Sequence, residues 1–231
     1  MELYDVMTTT FSCRDFTDEP LPDETLFRIL DRARFAPSGG NRQGWKVIVV
    51  RDRQTREGLS RAAEPAAKRY AAQVQVGESP WNTIERTKVD AATIERTPAP
   101  ARLTEPVLKA PVVLVVAVDL RLVASMDADL DRVGVISGAS IYPFAWNILL
   151  AARQEGFAGT ITTLAAAQEP AVQALLGLPS HVALAAVMPL GRPAKALTRL
   201  KRKPVEEFAM LERWGGTPLR ARAQPAPGPG A

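Results

Sequence analysis

Ala36-Pro37-Ser38-Gly39-Gly40-Asn41-Arg42-Gln43-Gly44-Trp45 runs directly into Lys46-Val47-Ile48-Val49-Val50, an adaptable loop feeding a buried-type strand. Upstream, Leu26, Ile29, Leu30 and Ala33 recur at helical spacing with Phe27 flanking them. Pro20-Leu21-Pro22-Asp23 reads as the start of that helix, with Asp23 a candidate N-cap. The run Pro37–Asn41 ends it. Glycine lacks a Cβ and tolerates unusual dihedrals, so Gly39 and Gly40 suit close approach of backbone to a ligand. The same residues could simply form a helix C-terminal turn.

Working outward, residues 3–9 predict a short helix and 53–73 a charged, alanine-rich one. The stretch 77–108 holds Pro80, Pro98, Pro100, Pro106 and Trp81, and is too long for a simple connection, as lids and binding loops often are. Pro111 leads into Val112–Val118, the strongest strand signal in the chain. Val133–Ala152 carries no charge and predicts a long helix. Gly156-Phe157-Ala158-Gly159 and a threonine-rich strand follow, then a helix over 168–176 and a last core strand, His181–Met188. Residues 192–204 are basic and 205–214 add a short apolar segment. Helices alternating with buried strands indicate an α/β or α+β layer fold. One domain over 1–215 is expected, with 216–231 a disordered tail on its proline and glycine content.

The 231 residues, 46% hydrophobic and 23% charged, suit one globular domain of ordinary surface. The net charge of +4 is mild and clustered, so no nucleic-acid partner is expected. With Cys13 as the one cysteine and His181 the one histidine, an intramolecular disulfide and His-rich metal sites are excluded. Residues 133–152 are long enough to span a bilayer, but Ser137, Ser140, Asn147 and Pro143 argue for a buried helix instead. Met1–Asp5 has no basic segment followed by an apolar one, so a cytoplasmic protein with no membrane partner is expected. Neither a Rossmann glycine fingerprint nor a Walker loop occurs.

Three separated pieces look unlike routine core or linker: Ser12-Cys13-Arg14-Asp15-Phe16, the loop at 36–45, and Leu200-Lys201-Arg202-Lys203-Pro204-Val205-Glu206-Glu207. Taken singly each has an ordinary explanation. Arg14 could pair with Asp15 or Asp18. Arg202 sits among Arg192, Lys195, Arg199, Lys201 and Lys203, a run that could be a solvated tail or a weak polyanion site. Thr162 and Thr163 fit any β-strand. Together, and in this order, the pieces resemble the nitroreductase superfamily. There Arg-Arg-Ser-x-Arg-x-Phe precedes Ala-Pro-Ser-x-x-Asn-x-Gln-Pro-Trp. Gly156–Thr163 with Lys201–Pro204 is similar to the C-terminal half of the iodotyrosine deiodinase-like members. The resemblance runs from about residue 4 to residue 214.

What it implies is an α+β fold with a mixed, mainly antiparallel central sheet flanked by helices, in an intertwined homodimer. The helix at 133–152 would lie in the interface. FMN would be held non-covalently in a site shared between subunits. By the same resemblance Arg202 contacts the phosphate, Arg14 the ribityl and ring end, and Ser12 adds hydrogen bonds. Ser38, Gly39 and Asn41, and more weakly Gln43, reach the flavin from the other subunit. Ile161, Thr162 and Thr163 lie along the ring. Arginine suits such a ligand because its fork of donors is always protonated and grips phosphate bidentately.

The implied activity is reduction of nitroaromatics, quinones or similar electron-poor acceptors by ping-pong hydride transfer from NADH or NADPH. No side chain acts as nucleophile, because the flavin N5 carries the chemistry. Reductive dehalogenation, a biosynthetic dehydrogenation, or flavin binding without turnover are the alternatives. Trp81 and 77–108 would shape acceptor choice. Cys13, with no histidine or second cysteine nearby, is not read as a nucleophile. His181, Phe144 and Trp146 are read as structural or interface residues. Departures are Thr10-Phe11 in place of the paired arginines, Gly44 in place of proline, and Lys68 where the deiodinase branch has a tyrosine four residues after its glutamate, here Glu64.

Overall fold

Every residue from Val112 to Asp119 is buried, and this strand organises the molecule around it. The computed structural model describes residues 1–221, in two units, Met1–Leu197 and a smaller one from Thr198 onward. In chain order the first unit holds α1 (Leu3–Thr9), α2 (Asp23–Ala33), β1 (Trp45–Val50) and α3 (Arg53–Gln75). Three short helices follow, α4 (Ala91–Arg96), α5 (Ala101–Thr104) and α6 (Pro106–Lys109). Then come β2 (Val112–Asp119), α7 (Tyr142–Gln154), β3 (Ala158–Gly159), α8 (Glu169–Leu176) and β4 (Val182–Gly191).

The strands form one sheet in the order β1-β2-β4-β3, antiparallel at each pairing. Trp45 opposes Val118, and Val112 opposes Leu190. Ser12 adds a parallel bridge to Gly159 beyond β3, which makes the sheet mixed. This is the α+β, mainly antiparallel sheet that the resemblance implied.

Successive strand residues point to opposite faces, so β2 feeds two cores. Val112, Leu114, Val116 and Val118 pack with Leu26, Ile29 and Ala33 of α2 and Phe144, Ala145 and Ile148 of α7. Val113 and Val115 pack on the other side with Leu59, Ala62 and Ala63 of α3 and Val172 of α8. Each such buried Leu, Ile or Val side chain contributes about 1.5–3 kcal/mol. With both faces covered by helices, the strand has no reason to alternate polar residues. That is why it reads as a continuous apolar run.

Three expectations change in detail. The uncharged run 133–152 is not one helix: a 3-10 turn at Ile136–Ser140 precedes α7, which begins at Tyr142. Pro143 sits in the first turn of α7, where its missing N–H costs nothing, whereas deeper in a longer helix it would break the ladder. No helix among the described residues is long and apolar enough to cross a membrane. Asp23 lies inside the first turn of α2 rather than capping it, the N-cap position being Pro22. The irregular 77–108 folds its second half into α4, α5 and α6.

The second unit has a 3-10 turn at Val205–Glu207 and a chain reversal in which Met210 bridges Pro218. Leu219 N donates to the Ala209 carbonyl at 3.0 Å, so backbone pairing runs past the expected boundary at 215. The rest of the expected tail, 222–231, lies outside the described residues.

Candidate functional site

The motif residues separate into three places. The first is the β3 edge of the sheet. The Cys13 amide donates to the Gly159 carbonyl at 2.8 Å, and this fixes Ser12 and Arg14 on either side of it. Arg14 is exposed, and its one side-chain hydrogen bond is a long one, 3.5 Å, to the Ser12 carbonyl. No carboxylate among the described residues pairs with it. The backbone of Thr162 exchanges bonds with Val187, at 3.0 and 2.8 Å. That bridge ties the 160–163 segment to β4. Between these anchors Thr160 is buried, and its hydroxyl has no partner.

These residues open onto a cavity of about 200 Å³. Arg14, Thr160, Ile161, Thr162 and Thr163 line it together with Tyr70 of α3 and Arg102 of α5. A second cavity of about 460 Å³ shares Tyr70, Thr163 and Leu164 with it and extends between Pro80 and Trp81. The larger of the two lies within the range of small-molecule sites, roughly 300–1,000 Å³, and the smaller falls below it.

Trp81 is held there by construction. Its backbone takes a left-handed φ of 56°. Its amide donates to the buried Gln73 side chain at 3.1 Å, and its indole N–H to the Ala66 carbonyl at 3.4 Å. The Arg69 guanidinium lies 4.1 Å over the ring. A non-glycine residue in this conformation costs on the order of 1–3 kcal/mol, so the surrounding bonds over-determine it.

The second place is the Ser38–Gln43 loop, which precedes β1 at the opposite edge. Gly40, Asn41 and Gln43 all have positive φ. The loop closes on itself through the Gln43 amide to Ser38 Oγ at 3.0 Å, and is tied to the α7 side by the Gly39 amide to Ser140 Oγ at 3.0 Å. Gly44 cannot grow a side chain freely, since a Cβ would meet Leu122 Cβ at 3.1 Å. Between β1 and β3 lie three strand spacings, roughly 14 Å. The cavity, moreover, sits on the α3 side of the sheet and the loop on the α7 side. One chain does not bring Ser38, Gly39, Asn41 and Gln43 together with Ser12, Arg14, Ile161, Thr162 and Thr163.

Arg202 is in the third place, the second unit. It is exposed there, and its side chain donates to the Lys201 carbonyl at 2.7 Å.

Other marked residues have plain structural roles. Burial pushes the Cys13 thiol up from its ordinary pKa, against a hydrogen bond to the Asp15 carbonyl. A thiol so placed is a poor nucleophile. Thr10 is buried with its hydroxyl spent on the Val6 carbonyl at 2.6 Å, so it offers no donor where the superfamily has arginine. Lys68 bonds Glu95 at 2.8 Å and lies 3.7 Å from Glu64. Phe144 stacks on Trp45 with ring centroids 4.7 Å apart.

Tyr70, Thr160 and Arg102 were not singled out in the sequence. Thr160 adjoins the threonine-rich stretch and Arg102 falls in the segment marked as a lid, but nothing in their spacing aims them at one cavity.

Residues 7–192 match the family model described as the Nitroreductase family. The chain belongs to the nitroreductase family. It is 26% identical over 213 residues to iodotyrosine deiodinase 1 of Pongo abelii, covering 91% of this chain and 68% of that protein. It is 29% identical over 211 residues to an NADH dehydrogenase of Thermus thermophilus, covering 86% of this chain and 90% of the other. In three dimensions it is similar to oxidized iodotyrosine deiodinase bound to FMN and 3-iodo-L-tyrosine. That likeness has a TM-score of 0.65 at 21% identity, over 92% of this chain and 100% of that one. At such identity the likeness is one of fold within the nitroreductase family.

Proposed function

We propose that the chain is a homodimeric, cytoplasmic, FMN-dependent oxidoreductase. It draws on NADH or NADPH and delivers electrons to nitroaromatics, quinones or similar electron-poor acceptors. The observation that carries this reading is the pairing of an unneutralised Arg14 with the orphaned Thr160 hydroxyl on one cavity. A buried polar group without a partner costs about 1–3 kcal/mol, so a ligand bearing hydroxyl or phosphate oxygens is the simplest way to satisfy it. A polyhydroxyl, anionic cofactor of the FMN kind fits these donors.

Arg14, Ser12 and the 160–163 edge would hold the cofactor from one subunit, and Ser38, Gly39, Asn41 and Gln43 from a second copy. The opposite-edge placement of the two groups supports a shared site. Arg202 would serve the phosphate, and Thr10, spent on Val6, adds no donor. When bound, FMN would supply two-electron transfer between a nicotinamide and an acceptor. Arg14 would place a fixed positive charge beside the ring. Trp81, Tyr70 and Pro80 would close the acceptor cavity against water.

The test is the absorbance spectrum of the purified protein, with released cofactor identified after heat denaturation and NAD(P)H oxidation followed with a nitroaromatic or quinone. FMN recovered near one per subunit, with acceptor-dependent oxidation, is the expected result. A colourless protein that takes up no added FMN would overturn the reading.

A further inference from the structure

The two joined cavities differ sharply in character. The larger is lined by Ala66, Tyr70, Pro80, Trp81 and neighbouring apolar or hydroxyl residues, with no charged side chain. The smaller carries two guanidiniums, Arg14 and Arg102, and no carboxylate. The Arg102 side chain is exposed, lines the smaller cavity, and has neither a hydrogen bond nor an ion pair among the described residues. It also sits on α5, four residues long and wedged beside α3, so its backbone is positioned and not a loose tail. An uncompensated arginine facing a concave, partly apolar wall is built for an oxyanion, which its planar fork meets bidentately.

We infer that Arg102 reads a carboxylate on the acceptor, so that the preferred substrates are electron-poor aromatics bearing an anionic group. The aromatic body lies in the Trp81–Tyr70 compartment and the carboxylate at Arg102. This deepens the flavin reading and rests on it. On α3, Lys68 is already held by Glu95 and Glu64 and the Arg69 guanidinium is stacked on the Trp81 ring at 4.1 Å, so the guanidiniums that line the smaller cavity are Arg14 and Arg102. An amino-acid zwitterion would find no free carboxylate in either lining for its ammonium group.

The test uses the protein as purified, wild type and Arg102→Met, with 4-nitrobenzoate and its neutral near-isostere 4-nitrobenzamide. Losing a charge-assisted hydrogen bond weakens binding about tenfold or more. Wild type is expected to favour 4-nitrobenzoate by about that factor, carried in KM, and Arg102→Met to bring the ratio of the two kcat/KM values close to one. Arg102→Lys is expected to restore part of the preference. Equal use of both probes by wild type overturns the proposal. So does loss of flavin from Arg102→Met, which would give the residue to the cofactor's phosphate. A raised KM for NAD(P)H with the acceptor preference intact also overturns it, giving the residue to the donor's phosphates.

Benzoate titrated against tryptophan fluorescence reads the same site without turnover, with Trp81→Phe as the control for the reporter. Binding that weakens about tenfold in Arg102→Met supports the anion site even if the protein proves colourless. No benzoate binding by a flavin-loaded wild type sinks the inference while leaving the flavin reading intact.

Discussion

The Gly39 amide donates to the Ser140 hydroxyl at 3.0 Å, joining positions 101 residues apart. This bond is the tie between the glycine loop and the turn that precedes α7. It decides how firmly the loop is presented.

Replacing Ser140 with alanine removes that acceptor from a buried position. The loss in stability is expected to be about 0.5–1.5 kcal/mol, the net worth of one such bond. If the loop serves a second subunit's cofactor, FMN affinity falls several-fold as well. Thermal melts with and without added FMN separate the two effects. Unchanged melting and unchanged affinity would show the tie to be dispensable.

Gly159 admits no side chain. A Cβ there would meet the Pro189 carbonyl oxygen at 2.5 Å and collide with the Leu190 side chain. Backbone oxygen cannot swing aside, so Gly159→Ala must push β3 away from β4, at a cost of about 1–3 kcal/mol. Because Cys13 hangs on the Gly159 carbonyl, Arg14 shifts with it. The expected outcome is a lower melting temperature together with reduced cofactor content. A variant with wild-type melting would contradict this packing.

Two carboxylates set an acid limit. Hydrogen bonds from the Val135 amide, and from Arg132 and Ser125, hold the Asp127 carboxyl well below its usual range despite its burial. Hydrogen bonding and charge from Arg121 hold Asp119 at about 2. Both are depressed in the folded state, so the stability they contribute is fully present above the unfolded value near ~3.9 and lost as pH falls toward the folded values. Melting temperature should be flat from pH 7 to about 5 and then decline, most steeply below about 4. The gap between wild type and Asp127→Asn should narrow over the same interval. A constant gap down to pH 2.5 would mean that Asp127 contributes nothing through its charge.

Much of this architecture is legible in the residues, and the failures have causes. Val112–Val118 and the helical spacing of Leu26, Ile29 and Ala33 announce their elements because burial alone dictates those residue types. The loop at 36–45 and the Ser12–Phe16 piece stand out because few structures need such residues together. The run 133–152 misleads because absence of charge reports burial, not helix length, and Pro143 reads equally as a helix's first turn or its interruption. Asp23 looks like a cap, yet Pro22 takes the position. Tyr70, Arg102 and Thr160 meet through tertiary packing of α3, α5 and the β3 edge. No local pattern encodes that meeting.

With Ser12, Arg14 and 160–163 on one edge of the sheet and 38–43 on the other, the proposed shared site would be a genetic as well as a chemical unit. In a dimer where each site borrows its loop from the neighbour, one chain damaged at Arg14 and another damaged at the loop fail separately, yet a mixed pair rebuilds one undamaged site out of two. Co-expressed, two such crippled alleles should complement each other, returning up to half the activity of each mixed dimer. A site confined to one chain would show no rescue.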